Sequence, residues 1–551
     1  MVSYDLPRGQ KDGRIDLGVV SVSERILDVA IVGAGFAGMY MLYRARGLGL
    51  AARVYEAGGG VGGTWYWNRY PGARCDVESV QYSYQFDAAL QQEWDWSERY
   101  ATQPEILRYA EHVVERFDLR RDIQFDTTIR SAHFDDERGL WLLATAAGEE
   151  ICSRFVVMAT GCLSSTNTPK FKGVERFSGR TFHTGRWPHE AIDFYGQRVA
   201  VVGTGSSAMQ SIPLIAAEAR HLYVFQRTPH YTVPARNTDY DDSYRAQIKA
   251  NYPALRALAK TMPSGIDFHI NTKSALEASE DERQREFQAR WDYGGVTFMG
   301  AFNDLLLNPE SNEAAARFVR EKVREIVRDP HVAELLTPRI YIGCKRLCVD
   351  TNYWASFNRP NVSLVDVSQT PIDEITHNAV RVAGLDYEVD AIVFAIGFDA
   401  MTGALLNIDI RGTGGRSLRD KWQAGPLAYL GLGIAGFPNL LTITGPGSPS
   451  VLTNMLPSIE QHVEWISACI EHMRRNAYSR IEATDAAESE WVAHVAEVGG
   501  MSLRSQCNSW YVWANIPGKT RVFMPYIGGF PAYLEKCREV VANGYAGFTL
   551  S

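Results

Sequence analysis

Two glycine-rich turns and one aromatic stretch ending in a carboxylate hold the residues of this sequence that could do chemistry. The turns are Gly33-Ala-Gly35-Phe36-Ala37-Gly38 and Gly203-Thr204-Gly205-Ser206-Ser207-Ala208. In such a turn the first glycine permits the sharp bend and the second lets the backbone approach a pyrophosphate. The third position must be small so that helix and strand pack closely. The phosphates then rest on the free N–H groups at the helix start. Glu56 follows the first turn by about 20 residues, where a carboxylate binds ribose hydroxyls. It suits the adenosine ribose of FAD. After the second turn no acid stands in that place, and the chain reads Gln226-Arg227-Thr228. A carboxylate there would repel a 2′-phosphate and a guanidinium would bind it, so the second nucleotide reads as NADPH. The plainer readings are a glycine turn without a ligand and, for Arg227, a surface cation.

These turns work only between a strand and a helix. Asp28-Val-Ala-Ile-Val-Gly33 is a short β-branched run that predicts a buried parallel strand. A helix follows it, ended by Gly47 and Gly49, and Arg53-Val-Tyr-Glu56 predicts the next strand. The pattern returns with a strand at Arg198-Val-Ala-Val-Val202, a helix from Met209 to Ala219 and a strand at His221–Gln226. Phe155–Gly161 and Ile392–Asp399 are apolar runs ending in small residues, of the kind that passes close to a flavin; Gly161 is counted with the cofactor residues. Between about Pro234 and Pro338 the chain turns charged and helical. Glu313–Val327 places Val319, Val323 and Ile326 at helical spacing, with Asp329-Pro330 as a stop. Ser458–Asn476 is amphipathic through Ile459, Val463, Ile466, Ile470 and Met473, and reads as a helix packed on the core.

The fold class is therefore α/β, with two Rossmann-like dinucleotide-binding domains for FAD and NADP and a helical insertion in the second. The expected division is an arm over 1–24, an FAD domain from 25–165 and 390–551, and an NADP domain over 166–389 with its insertion at about 235–338. A chain of 551 residues has room for two or three such domains. Net charge is −8 with no basic run, which argues against a nucleic-acid partner. The polar start, without an apolar signal core, and the lack of a long apolar run predict a cytoplasmic protein with no membrane partner. Eight scattered cysteines form no disulfide framework, and a reducing setting is the simplest reading. Oligomerisation is expected to be absent or weak.

Two further stretches identify a chemistry. Gly62-Gly63-Thr64-Trp65-Tyr66-Trp67-Asn68-Arg69-Tyr70-Pro71-Gly72-Ala73-Arg74-Cys75-Asp76 is dense in rings and charge. Phe177-Ser-Gly179-Arg-Thr-Phe-His183-Thr-Gly-Arg-Trp187-Pro188 lies between the two nucleotide units. With these, the chain from about Asp28 onward resembles the type I Baeyer–Villiger monooxygenases. It matches that family's Gly-Gly-x-Trp-x-x-x-x-Tyr-Pro-Gly-x-x-x-Asp and Phe-x-Gly-x-x-x-His-x-x-x-Trp-Pro patterns in full. It looks most like the phenylacetone and steroid monooxygenase group. The phrases Gly343–Asp350, Gly445–Ser450 and Asn515–Lys519 belong to the same resemblance.

The resemblance implies that NADPH reduces FAD, that O2 adds to the flavin as a C4a-peroxide, and that this attacks a ketone to give an ester or lactone. Sulfide oxidation is a further capacity it implies. Arg346 then supplies a fixed positive charge beside the developing oxyanion, and Asp76 orients it. The bland alternative is a structural salt bridge. Gly63, Thr64, Trp65 and Asp76 are implied FAD contacts; Lys345 and Trp510 are implied NADP contacts, with a solvated cation and a core aromatic as their plain readings. The implied ketone pocket holds Thr64, Val77, Leu163, Leu452, Met455 and Tyr511, any of which could be plain core. His183 and Trp187 are implied to lie in a linker and to couple nucleotide binding to domain movement. The rival readings are an N- or S-hydroxylating flavin monooxygenase, a dithiol reductase lacking its cysteine pair, and a nucleotide-binding module without catalysis.

Overall fold

The computed structural model describes residues 26–551, so the expected arm over 1–24 lies outside the described residues. Two sheets carry the molecule. The first runs in the order Asp409–Arg411, Ile129–Asp135, Leu140–Thr145, Glu150–Met158, Leu27–Val32, Ala52–Tyr55, Ile123–Gln124, with Leu440–Thr442 also paired to Glu150–Met158. The second runs Val362–Asp366, His221–Gln226, Arg198–Val202, Ala391–Phe394, Arg180–His183, and every pairing in it is parallel. The class is α/β with two Rossmann-like units, as the doubled motif implies.

The apolar runs are explained by burial on both faces. Val29 and Ile31 pack into one core while Ala30 and Val32, on the opposite face, pack into another. Val199 and Val201 are likewise separated from Ala200 and Val202 in the second sheet. A strand covered on both sides must be apolar at every position, which is why neither strand alternates.

Four longer helices fill the stretch between the strands Thr232–Pro234 and Cys348–Asp350: Asp242–Thr261, Glu280–Tyr293, Pro309–Ile326 and Pro330–Leu336. The third starts earlier than the apolar spacing alone suggests, because Asn308 caps it through Oδ1 and Pro309 occupies the first turn. Asp329-Pro330 ends that helix as expected, yet Asp329 then caps the next one. The C-terminal helix spans Met455–Arg475 under an Asn454 cap.

One element sits in a different sheet from the one its sequence suggests. Ala391–Phe394 pairs with Arg198–Val202 and Arg180–His183, so it belongs to the second sheet and not beside the flavin strands. The chain crosses to the first sheet after Phe394, not before it at 390. His183 closes the strand Arg180–His183 at the edge of the second sheet. In the described residues no helix is long and apolar enough to cross a membrane.

Candidate active site

The first turn is built for a close backbone approach. Gly33 has φ +103°, and a Cβ there would stand 2.7 Å from the carbonyl oxygen of Ala159, which only glycine avoids. Gly35 and Gly63 touch through their backbones, since a Cβ on Gly63 would lie 2.9 Å from Gly35 Cα. The aromatic stretch is thereby pressed against the nucleotide turn. The helix Phe36–Gly47 begins at Gly35 with no side-chain cap, unlike the helices capped by Asp241, Ser279 or Asn308. Its first N–H groups are left for an anion. Phe36 and Ala37 are buried, so what they offer a ligand is backbone. Glu56 is buried and accepts from Ala34 N (2.6 Å) and Gly58 N (2.8 Å). Burial raises its pKa against these bonds, and its remaining lone pairs suit ribose hydroxyls. Beside Gly161 there is open space. These features fit FAD.

Thr64 is exposed at the start of the helical turn Thr64–Trp67, while Trp65 is buried and donates to Tyr82 Oη (3.2 Å). The two motifs meet here, because Trp187 N donates to Trp67 O (3.3 Å). Trp187 is buried and stacks on Phe182 at 5.1 Å.

The second turn repeats the first. The helix Ser206–Glu218 begins at Gly205 without a side-chain cap, and a Cβ on Gly205 would meet nothing within 4 Å. Thr204 Oγ1 donates to Thr228 O (2.9 Å), tying the turn to the strand that follows, and Ser207 Oγ lies 3.0 Å from Thr184 Oγ1. Arg227 is exposed and Lys345 half-buried. Burial, and then the charge of Arg227, lower the Lys345 pKa. Two cations facing one space favour a dianion, and so the 2′-phosphate of NADP. His230, which the motifs did not flag, is pushed down to about 3 by burial and then by Lys345; it is a neutral ring beside that cation.

The pair expected to be reactive is formed. Arg346 Nε donates to Asp76 Oδ2 and Nη2 to Asp76 Oδ1, both at 2.9 Å, and Nη1 donates to Val451 O at 3.0 Å. The Asp76 charge, against burial, raises the guanidinium pKa. The sequence separates these partners by 270 residues. Burial pushes the neighbouring Cys75 thiol well up, which makes it a poor nucleophile. His183 is pulled down to about 4 by burial and then by Arg186, so at neutral pH it is an uncharged imidazole, whose Nδ1 accepts from Gly185 N (3.0 Å).

Of the expected pocket residues, Leu163, Leu452, Met455 and Tyr511 share one core with Trp510. Val77 is buried in the adjoining core, which Met455 also touches. Thr64 belongs to neither. The Trp510 and Tyr511 rings lie 4.2 Å apart. The reading of eight thiols without a disulfide needs a correction: Cys344 and Cys507 are joined, with Cα atoms 6.0 Å apart. The other six cysteines are buried and take no part in this bond. No spacing rule links residues 163 positions apart, so only the fold could reveal the pair. Arg504, equally unflagged, faces Tyr511.

Residues 30–287 match the family described as Pyridine nucleotide-disulphide oxidoreductase; Cys344 and Cys507 lie outside that match. The chain is 42% identical to a Baeyer-Villiger monooxygenase of Pseudooceanicola batsensis, over 94% of this chain and 95% of the other. It is 40% identical to a phenazine N-monooxygenase of Lysobacter antibioticus, over 95% and 97%. Among solved structures, oxidized steroid monooxygenase bound to NADP is similar with a TM-score of 0.91 at 51% identity, covering 95% of this chain and 99% of that one. The OTEMO complex with FAD and NADP is similar with a TM-score of 0.92 at 38% identity, covering 95% and 99%.

Proposed function

This chain belongs to the Baeyer–Villiger monooxygenases, NADPH-dependent flavoproteins, and on that premise we propose that it inserts one oxygen atom of O2 beside the carbonyl of a ketone, giving an ester or lactone. The observation that carries this reading is the two-point Arg346–Asp76 pair in a chain that also carries two uncapped nucleotide turns. FAD, when bound, would supply the oxygen-activating chemistry, with NADPH as its reductant and O2 as the oxygen source. Arg346 holds a permanent positive charge where negative charge develops on the reacting oxygens. Asp76 fixes the plane of the guanidinium through two parallel bonds and offsets its charge. Val451 O fixes its third edge. In this reading FAD lies on the first turn with Glu56, Gly63, Thr64, Trp65 and Gly161 around it. NADP lies on the second turn with Arg227, Thr228, Lys345 and Trp510. The ketone enters beside Leu163, Leu452, Met455 and Tyr511, with Thr64 and Val77 at the margin. Neutral His183 suits a positioning role, not that of a general acid. The first sheet and its C-terminal strands then form the FAD domain, and the second sheet the NADP domain.

The test is incubation with NADPH, labelled O2 and a panel of aryl, cyclic and steroid ketones, read by mass spectrometry. An ester or lactone carrying one labelled oxygen is expected. Arg346→Ala should keep flavin reduction by NADPH while ester formation falls by about 100- to 1,000-fold; undiminished ester yield would remove Arg346 from the chemistry. A second reading, oxygenation at nitrogen, is favoured by the likeness to a phenazine N-monooxygenase. Labelled N-oxide from an aromatic amine, with no product from any ketone, would select it.

A further inference from the structure

Arg504 is a cation in need of an anion. It lies in the turn Leu503–Gln506, which is fastened by Leu503 N donating to Leu306 O (2.9 Å) and by Ser502 Oγ donating to the same oxygen (3.4 Å). Among the described residues its guanidinium has no hydrogen bond and no ion pair, and its Nε is buried without a partner. The residue as a whole is half-buried, so its outer nitrogens are the accessible ones. Its guanidinium carbon lies 5.4 Å from the centroid of the Tyr511 ring. Tyr511 is fully buried, and its hydroxyl also has no partner.

The charge balance of this wall is uneven. Arg346 and Arg504 both interact with Tyr511, and after burial the Arg346 charge lowers the Arg504 pKa. Asp76 uses both oxygens on Arg346. A second guanidinium therefore stands in the same neighbourhood with no carboxylate. An unbalanced, partly buried cation is costly to a fold unless a ligand neutralises it. Arginine also presents a planar fork that matches a carboxylate at two points. Tyr511 belongs to the same core as Leu163, Leu452 and Met455, the residues that the proposed function gives to the ketone, so on that reading the free fork and free hydroxyl adjoin the substrate's place.

We propose that Arg504 recognises a negatively charged group on the substrate, so that the preferred ketones are oxo acids held by a carboxylate at Arg504 with their carbonyl near Arg346. This rests on the ketone reading of the site. The other anion with suitable chemistry is a phosphate of the nucleotide, which the test separates.

The experiment uses holoenzyme and a chain-length series from 4-oxopentanoate to 8-oxononanoate, each beside its methyl ester. Wild-type enzyme should favour the acid over its ester in kcat/KM at one chain length. In Arg504→Met that acid-to-ester ratio should fall on the order of tenfold or more, with Arg504→Lys in between. Equilibrium titration of the oxidised holoenzyme with the best acid, followed by the flavin spectrum, should lose affinity to the same extent. Binding is read without turnover, so it decides the role of Arg504 even if no ketone is oxygenated. An unchanged ratio and unchanged binding in Arg504→Met would overturn the proposal. So would a rise confined to the KM for NADPH, which would give the cation to the nucleotide.

Discussion

At the residue scale, among the described residues, Arg227 and Lys345 are like charges without an ion-pair partner. Arg227 and Lys345 face one space, and Arg227 makes the Lys345 ammonium harder to keep charged. On the proposed reading a dianion would relieve that strain and so favour the phosphorylated coenzyme without any contact to its nicotinamide. Arg227→Ala should raise the KM for NADPH by about tenfold, with little effect on NADH. Steady-state kinetics with both coenzymes checks this; an unchanged preference would make Arg227 a plain surface cation. Arg346 shows the opposite arrangement, being held at three points by Asp76 and Val451. A group that must meet transient charge gains from being fixed in advance.

At the element scale, buried carboxyls tie helices to the loops that carry the site. Glu460, on the helix Met455–Arg475, accepts from Gln85 N (2.5 Å) and Phe86 N (3.0 Å), just beyond the aromatic motif. Burial, chiefly, raises its pKa to about 7. Its folded pKa thus lies above the unfolded value, so the folded state holds the proton longer. The stabilisation is full below about pH 4 and is lost as pH rises towards about 7. Glu460→Gln keeps an acceptor but carries no charge. Its stability should gain on wild type as pH rises through that window, approaching about 3 kcal/mol, and the accompanying Tm difference should flatten above it. Parallel Tm curves from pH 4 to 8 would show that Glu460 does not titrate as its burial implies.

At the scale of the whole molecule, the Cys344–Cys507 bond joins the loop that carries Lys345 and Arg346 to the one that carries Arg504, Trp510 and Tyr511. It closes a loop of 163 residues, for which the chain-entropy picture gives about 5 kcal/mol of stabilisation. Reductant should lower the Tm of wild type and leave Cys507→Ser unaffected, with that variant starting at the lower value. Alkylation under non-reducing denaturation should label six thiols, those outside the Cys344–Cys507 bond. Labelling of all eight, with no change of Tm on reduction, would mean the bond does not form in solution.

The strand-turn-helix units, the α/β class and the two nucleotide turns were legible in the sequence because each depends on neighbours in the chain. A tight turn needs glycine, a strand buried on both faces needs an unbroken apolar run, and a phosphate needs an uncapped helix start. The residues of Arg346 and Asp76 could be singled out by their family pattern, but their bidentate geometry across 270 positions could not be read from it. The sheet that takes Ala391–Phe394 was open for a similar reason: the run is apolar in either sheet, and only pairing with Arg198–Val202 decides. The Cys344–Cys507 bond, the neutral His230 and the unpaired Arg504 left no local signal at all. Charge, desolvation and sulfur pairing depend on which distant groups arrive within a few ångströms, and only the tertiary structure sets those distances.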